Sequence, residues 1–589
     1  MAHSRLFAMA SATTTMSTSE SVPENAPMDL SHHFNATSRS RNSNAMKNLY
    51  KYFNTPGMTN LAGGLPYPEY FPFDTLEAKI APPTRFIAES AAKYHSLPPK
   101  PSSSIFSLFS SKPAPTELSE VSKTEHFSIP KFSLGHTRLD IATALQYSLA
   151  NGLAPLTDFI KDFALNHLHG GKIPYASPEI VLTCGNTDGL SKALSLLAER
   201  GDNMLVEEYT YPGGLQTAEP LGVGIIPVAV DSQGMLARGK GGLRDVLENW
   251  NEWEQGKRPH MMYTVTVGQN PTGGTLSLQR RKDIYKLCEK YDIIIIEDDP
   301  YWYLQYTSSS HPPSSAPFKG PDGKYSFMEA MTPSYITIDK SGRVIRLDTF
   351  SKTVAPGCRL GWITAQPAFV ERITRISEAS TQAPSGFSQA MVFELLSTWG
   401  MDGWIKWLEN LRRLYEERMV MMREALEKHS NAVLHFIEGD SIVVKKTRVY
   451  EFESPDGGMF IWVRVLIESH PAYTEYTSTL GHSKLDMMTN LWTYIAETQM
   501  SMPCPGWTFA PNAEIREGKS AERMRFCFAA INENQIREAT ERWGKGLQDF
   551  WGMGAKDIDD WGKRPESARG GKEGIVPLGW TGGMLGGGC

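Results

Sequence analysis

The 589-residue sequence predicts an α/β protein, with a large domain built on a mostly parallel, helix-covered sheet and a smaller α+β unit at the C-terminal end. Four consecutive isoleucines, Ile293 to Ile296, precede E-D-D-P-Y-W, which implies a strand buried on both faces, as parallel sheets require. Strand, tight turn and helix patterns also repeat. E-I-V-L-T-C-G-N-T-D-G-L-S-K-A-L-S-L-L is one such unit, and H-M-M-Y-T-V-T-V-G-Q-N-P-T-G followed by a helix over 277–291 is another. Units of this kind place polar chemistry at the carboxyl ends of the strands.

Residues 1–45 are polar and poor in aliphatics, so they bury too little surface to offset ordering entropy and are expected to form a disordered leader. Residues 46–92 form an N-terminal arm and the start of the small domain: M-K-N-L-Y-K-Y-F has helical spacing, and residues 60–73 are a Gly/Pro-punctuated extended segment rich in aromatics. Exposed aromatics of that kind call for a partner surface such as a second subunit. Residues 93–135 turn Ser/Pro/Lys-rich and are expected to be an insertion. The large domain is expected over 136–400. The small domain follows over 401–550, after helical patterns at 387–400 and 404–428; its strands are P-D-G-G-M-F-I-W-V and E-R-M-R-F-C-F-A-A, covered by helices at 484–497 and 533–546. A Gly-rich tail, expected to be disordered, closes the chain over 551–589.

Composition narrows the function classes. With 41% hydrophobic and 21% charged residues the chain is ordinary for a globular protein, and its net charge of -6 offers no basic field for nucleic acid. Residues 1–45 have neither the length nor the charge of a DNA-binding head. No apolar run approaches a membrane helix. Six cysteines are scattered without a C-x-x-C pair or a histidine at ligand spacing, which points to free thiols in a reducing compartment and to no metal. The start of the chain falls short of a signal peptide and only faintly suggests an organelle leader, so a cytoplasmic protein is expected.

The chemistry centres on R-L-D-T-F-S-K-T-V-A-P-G-C-R-L-G-W, residues 346–362. Lys352 follows the end of an apolar strand, with hydroxyls from Thr349 and Ser351 and a second cation, Arg359, seven residues on. A pocket for a dianion beside a nucleophilic amine suits pyridoxal 5'-phosphate. Asp298, closing the isoleucine strand, would pair the protonated ring nitrogen. Asn270 and Tyr301 would donate to the phenolate, and Tyr211 would lay its ring on the cofactor face. Gly185, Asn186 and Thr187 lie between a strand and a helix, where backbone N–H groups receive phosphate oxygens. Arg525 in R-M-R-F-C-F has the fork to clamp a substrate carboxylate.

In this order, G-N-T-D-G-L, Y-P-G, N-P-T-G, I-E-D-D-P-Y-W, S-K and G-C-R-L-G-W resemble the fold-type I, class I/II pyridoxal-phosphate aminotransferases. N-L-A-G-G-L-P-Y-P-E-Y-F-P-F and P-D-G-G-M-F-I-W resemble the branch of fungal aromatic amino acid and kynurenine/2-aminoadipate aminotransferases. The resemblance, over residues 46–550, implies Lys352 as the Schiff-base lysine and Asp298 as the pyridinium partner. It implies Asn270 and Tyr301 as donors to the ring oxygen and Tyr211 as the stacking ring. Asn186, Thr187, Thr349 and Arg359 would be phosphate ligands, and Arg525 would bind the substrate α-carboxylate. Residues 186–188 read Asn-Thr-Asp where relatives often carry Ser-Gln-Gln. The family also implies a homodimer with a shared active site.

The implied reaction moves the amino group of an aromatic, kynurenine-like or aminoadipate-like L-amino acid to 2-oxoglutarate by a ping-pong route, with Tyr70, Phe71 and the Gly63-Gly64 turn lining an adaptable pocket. The alternative on the same fold is a β-eliminating carbon–sulfur lyase.

Overall fold

The isoleucine run forms the centre of the molecule. The computed structural model describes residues 25–42, 61–62, 64–85, 125–133, 139–307, 311–312, 315–438 and 441–564. Its main sheet has seven strands: β1 (Glu179–Thr183), β2 (Asn203–Glu207), β3 (Gly224–Val228), β4 (Met261–Thr264), β5 (Ile294–Asp298), β6 (Val344–Thr349) and β7 (Gly361–Ala365). Their spatial order is β1-β7-β6-β5-β4-β2-β3, with β5 in the middle. Neighbours run parallel except at β7, which is antiparallel to both β6 and β1. Side chains alternate across β5. Ile294 and Ile296 join the core shared with the C-terminal helices, while Ile293 and Ile295 pack with Leu205, Met262 and Tyr335 on the other face.

Helix α1 (Asn186–Leu197) leaves β1 through Gly185, whose φ of 87° a side chain would resist. Helix α2 (Leu278–Lys290) starts where the sequence places it, with Ser277 accepting from the Arg280 N–H. The helical patterns at 387–400 and 404–428 run on as α3 (Gly386–Lys428), interrupted by non-helical backbone at Gly400. Beyond it lies an antiparallel sheet ordered Tyr450–Phe452, Phe460–Val465, Arg523–Cys527, Cys504–Pro505. Helices α4 (Lys484–Gln499) and α5 (Glu533–Trp551) pack against each other beside it, and α5 outruns its expected end because Leu547, Phe550 and Trp551 are buried. A hairpin of Asn431–Glu438 with Ser441–Arg448 was not anticipated. The loop after β4 and the loop before Phe460 cross at Gly268 and Gly458, whose backbones leave no room for a Cβ on either.

Three expectations at the margins are corrected. The disordered leader fails for residues 25–42: Leu30 and Phe34 are buried in the main core, and Asn35 donates to the carbonyls of Ser195 and Ala198. Two apolar anchors and a satisfied amide hold a segment whose average composition is polar. The insertion fails at its end, because Glu125–Pro130 pairs antiparallel with Thr75–Ile80 and buries Phe127 and Ile129. The tail fails at its start, where Ala555–Lys563 is a helix that buries Ile558 and Trp561. The helical M-K-N-L-Y-K-Y-F pattern, most of the insertion and the glycine-rich end lie outside the described residues. Among the described residues no helix is long and apolar enough to cross a membrane.

Candidate active site

Asp298 is the last residue of β5, beside Leu347 of β6. Strand alternation separates it from its neighbours in sequence. Glu297 and Asp299 face Arg346, which is fully buried and bonds Asp348 through two nitrogens at 2.9 Å each and Asp299 at 2.9 Å. Asp298 turns the other way, toward α1. Asn186 Nδ2 donates to Asp298 Oδ1 at 2.6 Å and to the Leu347 carbonyl at 3.2 Å, and the Tyr263 hydroxyl donates to Asp298 Oδ2 at 2.8 Å. Burial pushes the Asp298 carboxyl up to about 6, against the lowering effect of those two donors. Among the described residues no cation pairs with it. A carboxylate buried with two donors and no counter-charge is suited to a cationic ring N–H.

Beyond β6 the chain tightens into a 3-10 turn, Phe350–Lys352. Thr349 Oγ1 accepts the Ser351 N–H at 3.1 Å, lies 2.9 Å from Ser351 Oγ and donates to the Leu360 carbonyl at 3.1 Å. Lys352 ends this turn half-buried. Arg359 has left-handed backbone (φ 46°) and reaches back, Nη1 to the Pro356 carbonyl at 2.9 Å and Ser351 Oγ at 3.4 Å, Nη2 to the Cys184 carbonyl at 3.1 Å. It thereby joins the lysine turn to the turn between β1 and α1. A Cβ on Gly185 would lie 2.5 Å from Arg359 Nη2. Among the described residues no side chain caps α1, so its first N–H groups are free to receive an anion, with exposed Thr187 on the same turn and Arg359 against Gly185.

Asn270, Tyr301 and Tyr211 come from loops at the same end of the sheet, and Arg525 from the strand Arg523–Cys527 of the small domain. Asn270 is buried, and its Oδ1 accepts from Arg525 Nη1 at 2.7 Å, which leaves Nδ2 as its donor. The Arg525 guanidinium carbon lies 4.2 Å from the Phe460 ring centre and 4.9 Å from that of Phe509, and its Nε is buried without a partner. Tyr301 is buried edge-on to Phe460, with ring centres 5.8 Å apart. The half-buried Tyr211 ring folds over Gly213, where a Cβ would meet it at 2.5 Å.

The fold thus links Asn186 with Asp298, Thr349 and Ser351 with Arg359, and Asn270 with Arg525. The Asn186 side chain holds Asp298, because it is the first residue of α1 and β5 ends directly opposite, and its backbone N–H at the start of α1 is what remains for the phosphate. Gly64 is exposed with open space beside it and Tyr70 is 82% exposed, so among the described residues neither is enclosed; Gly63 lies outside the described residues. Tyr263 went unmarked in the sequence. A phenol in a fully buried strand must find a hydrogen-bond partner, and that was the available signal.

These donors fit pyridoxal phosphate: a helix N-terminus, two hydroxyls and an arginine for the phosphate, Asn270 and Tyr301 for the ring oxygen, Asp298 for the ring nitrogen and Lys352 for the aldehyde. Comparison with known proteins agrees. The family model "Aminotransferase class I and II" matches residues 136–542. An aromatic amino acid aminotransferase of Schizosaccharomyces pombe is 34% identical over 525 residues, covering 89% of this chain and 98% of its own. An L-tyrosine:2-oxoglutarate aminotransferase of Tapinella panuoides is 34% identical, covering 78% of each chain. The crystal structure of the aminotransferase Aro8 from Candida albicans superposes with a TM-score of 0.72 at 30% identity, over 90% of this chain and all of that one. On its residues, its fold and these identities, the chain belongs to the class I and II aminotransferases, enzymes that work with pyridoxal phosphate.

Proposed function

We propose that this aminotransferase takes the amino group from an aromatic L-amino acid and delivers it to 2-oxoglutarate. The observation that carries the reading is the setting of Arg525: a carboxylate-binding fork held by Asn270 between Phe460 and Phe509, in an aromatic shell that also tolerates an apolar substrate ring. The relatives named for aromatic substrates and for tyrosine with 2-oxoglutarate support it. The carbon–sulfur lyase alternative finds no support among them.

Pyridoxal phosphate, when bound, supplies an aldehyde for the amino group and a ring that delocalises the electrons left when Cα loses its proton. This chain's residues do the rest. Arg525 fixes the substrate carboxylate with paired hydrogen bonds. Lys352 Nζ, once free, would accept the Cα proton and deliver it to the carbon of the former aldehyde, so that the amino group can leave Cα. Asp298, steadied by Asn186 and Tyr263, keeps a proton on the ring nitrogen, while Asn270 Nδ2 and the Tyr301 hydroxyl donate to the ring oxygen. Thr349, Ser351, Arg359 and the start of α1 hold the phosphate.

The site stands partly open in one chain: Thr187 and Arg359 are exposed, as are Tyr67, Tyr70 and Phe73 on the arm. A second copy covering both surfaces accounts for these exposed groups, so we infer a homodimer. Cys184, Cys288, Cys358 and Cys527 are free thiols, which suits a reducing, cytoplasmic setting. Initial rates with tyrosine, phenylalanine, tryptophan, kynurenine and 2-aminoadipate against 2-oxoglutarate test the substrate reading. Aromatic donors should give the highest kcat/KM with parallel double-reciprocal lines; a preference for 2-aminoadipate, or pyruvate release without an oxo acid, overturns it.

A further inference from the structure

Far from Lys352 in sequence, the N-terminal segment and the large domain bring three histidines and two aspartates together. His32 Nε2 lies 2.6 Å from Asp292 Oδ2, and His33 Nε2 lies 3.1 Å from Asp292 Oδ1. The three side chains present ligand atoms all within 4.8 Å of one another. His33 Nδ1 is 3.3 Å from His260 Nδ1, and His260 Nε2 is 3.2 Å from Asp202 Oδ2. Arg343 Nη1 is 3.5 Å from Asp292 Oδ1, and Lys257 pairs with Asp202 at 2.9 Å.

The hydrogen bonds restrict where the protons go. Asp202 is held as an acceptor by Lys257 and by the Glu199 N–H, so His260 must present Nε2–H to it. With His260 neutral, its lone pair is on Nδ1 and His33 presents Nδ1–H to it; a protonated His260 would instead donate to His33 Nδ1 and leave His33 Nε2–H for Asp292. The first arrangement, which a bound metal would select, leaves a lone pair on buried His33 Nε2, 3.1 Å from a carboxylate oxygen of Asp292. Lone pair against lone pair at 3.1 Å is unfavourable unless a cation stands between them. A proton there would bury an imidazolium in a ring whose side chain is 3% exposed. A metal ion resolves the conflict, since neutral imidazole backed by a relay to a carboxylate is the usual form of a histidine ligand.

We propose that His32, His33 and Asp292 bind one zinc ion, which staples the N-terminal segment to the large domain. Two imidazoles and a carboxylate suit zinc in ligand type. Ligand atoms around tetrahedral zinc stand about 3.4 Å apart, by the usual metal–ligand lengths. The existing spacings therefore need only small side-chain rotations. The fourth position opens on a cleft of about 390 Å³ shared with Glu199 and Lys257, where water completes the shell. The site ties together residues 260 positions apart, a spacing that no sequence motif displays. It is a binding site separate from the catalytic one, and it does not depend on the substrate reading above.

The test uses tag-free, full-length, cofactor-loaded protein dialysed against a buffered zinc solution, with bound metal measured by mass spectrometry. His32 is exposed, so His32→Ala should fold, and Asp292→Asn gives a second, independent variant. The native chain should hold one more zinc per chain than either variant, and X-ray absorption should show nitrogen and oxygen neighbours without sulfur. Replacing His260 with Phe should weaken binding about 10- to 100-fold through loss of the relay. Equal zinc in the native chain and both variants, or a sulfur-ligated ion, overturns the proposal.

Discussion

Tyr263 and Asp298 stand on neighbouring parallel strands, and the tyrosine hydroxyl donates to the carboxylate across the sheet at 2.8 Å. That bond is one of two that keep a buried carboxylate ionisable. Replacing Tyr263 with Phe removes it without changing strand packing and should raise the Asp298 pKa further. A hydrogen bond to a charged group contributes about 1.5–3 kcal/mol, so kcat/KM should fall by about 10- to 100-fold at neutral pH, and less at higher pH. A pH–rate profile checks this; an unchanged acid limb would show that Tyr263 is only packing.

The Asp298 carboxyl also makes stability depend on pH. Its pKa rises from 3.8 in the unfolded chain to about 6 in the cofactor-free fold, because burial disfavours the charge. Between those values the folded chain holds a proton that the unfolded chain has released, so this group's contribution to stability falls as pH rises from about 4 to 6. Two pKa units amount to about 3 kcal/mol at most. Asp298→Asn should remove that part of the pH dependence in denaturant titrations of cofactor-free protein, and should greatly lower turnover.

Lys352→Ala should abolish turnover and covalent retention of the cofactor while leaving the melting temperature within a few degrees. Absorbance and mass spectrometry of the purified protein check the attachment. Full activity in this variant would remove Lys352 from the reaction.

Gly185→Ala meets two obstacles at once, the positive φ and the Arg359 guanidinium. Strained backbone of this sort costs about 1–3 kcal/mol. The substitution should lower the melting temperature and weaken cofactor binding, whereas Arg359→Ala should weaken binding alone. Equilibrium dialysis and calorimetry distinguish the two.

Arg346→Leu leaves Asp299 and Asp348 buried without their cation, and Glu297 with Arg281 alone. Removing one partner of a buried ion cluster costs about 3–5 kcal/mol, so the variant should unfold at markedly lower denaturant or fail to accumulate. Near-native stability would mean that those carboxyls are protonated in the fold.

Much of this protein was legible from short stretches, because strand burial and turn chemistry are local. Ile293 to Ile296 identify the central strand, G-N-T-D-G-L the turn into α1, and the S-K and R-L-G pair the loop that holds the amine and its neighbouring cation. Residues 25–42 misled for the same reason: average polarity hides two anchors, Leu30 and Phe34, whose burial depends on a surface supplied by α1 and the helix at Pro367–Glu378. The amphipathic helix at Ala555–Lys563 was lost beneath the glycine-rich composition that follows it.

The sequence by itself determined the parallel α/β core and, through the resemblance of its ordered motifs, the aminotransferase family, and it offered Lys352, Asp298 and Arg525 as candidates, since strand burial and turn motifs are local. Only the tertiary structure decided that Asn186 serves Asp298, that Tyr263 shares that duty, that Asn270 is bound to Arg525, and that His32 and His33 meet Asp292. These contacts span 35 to 260 positions of chain, and side-chain direction at such separations is set by sheet register and packing, which no local pattern encodes.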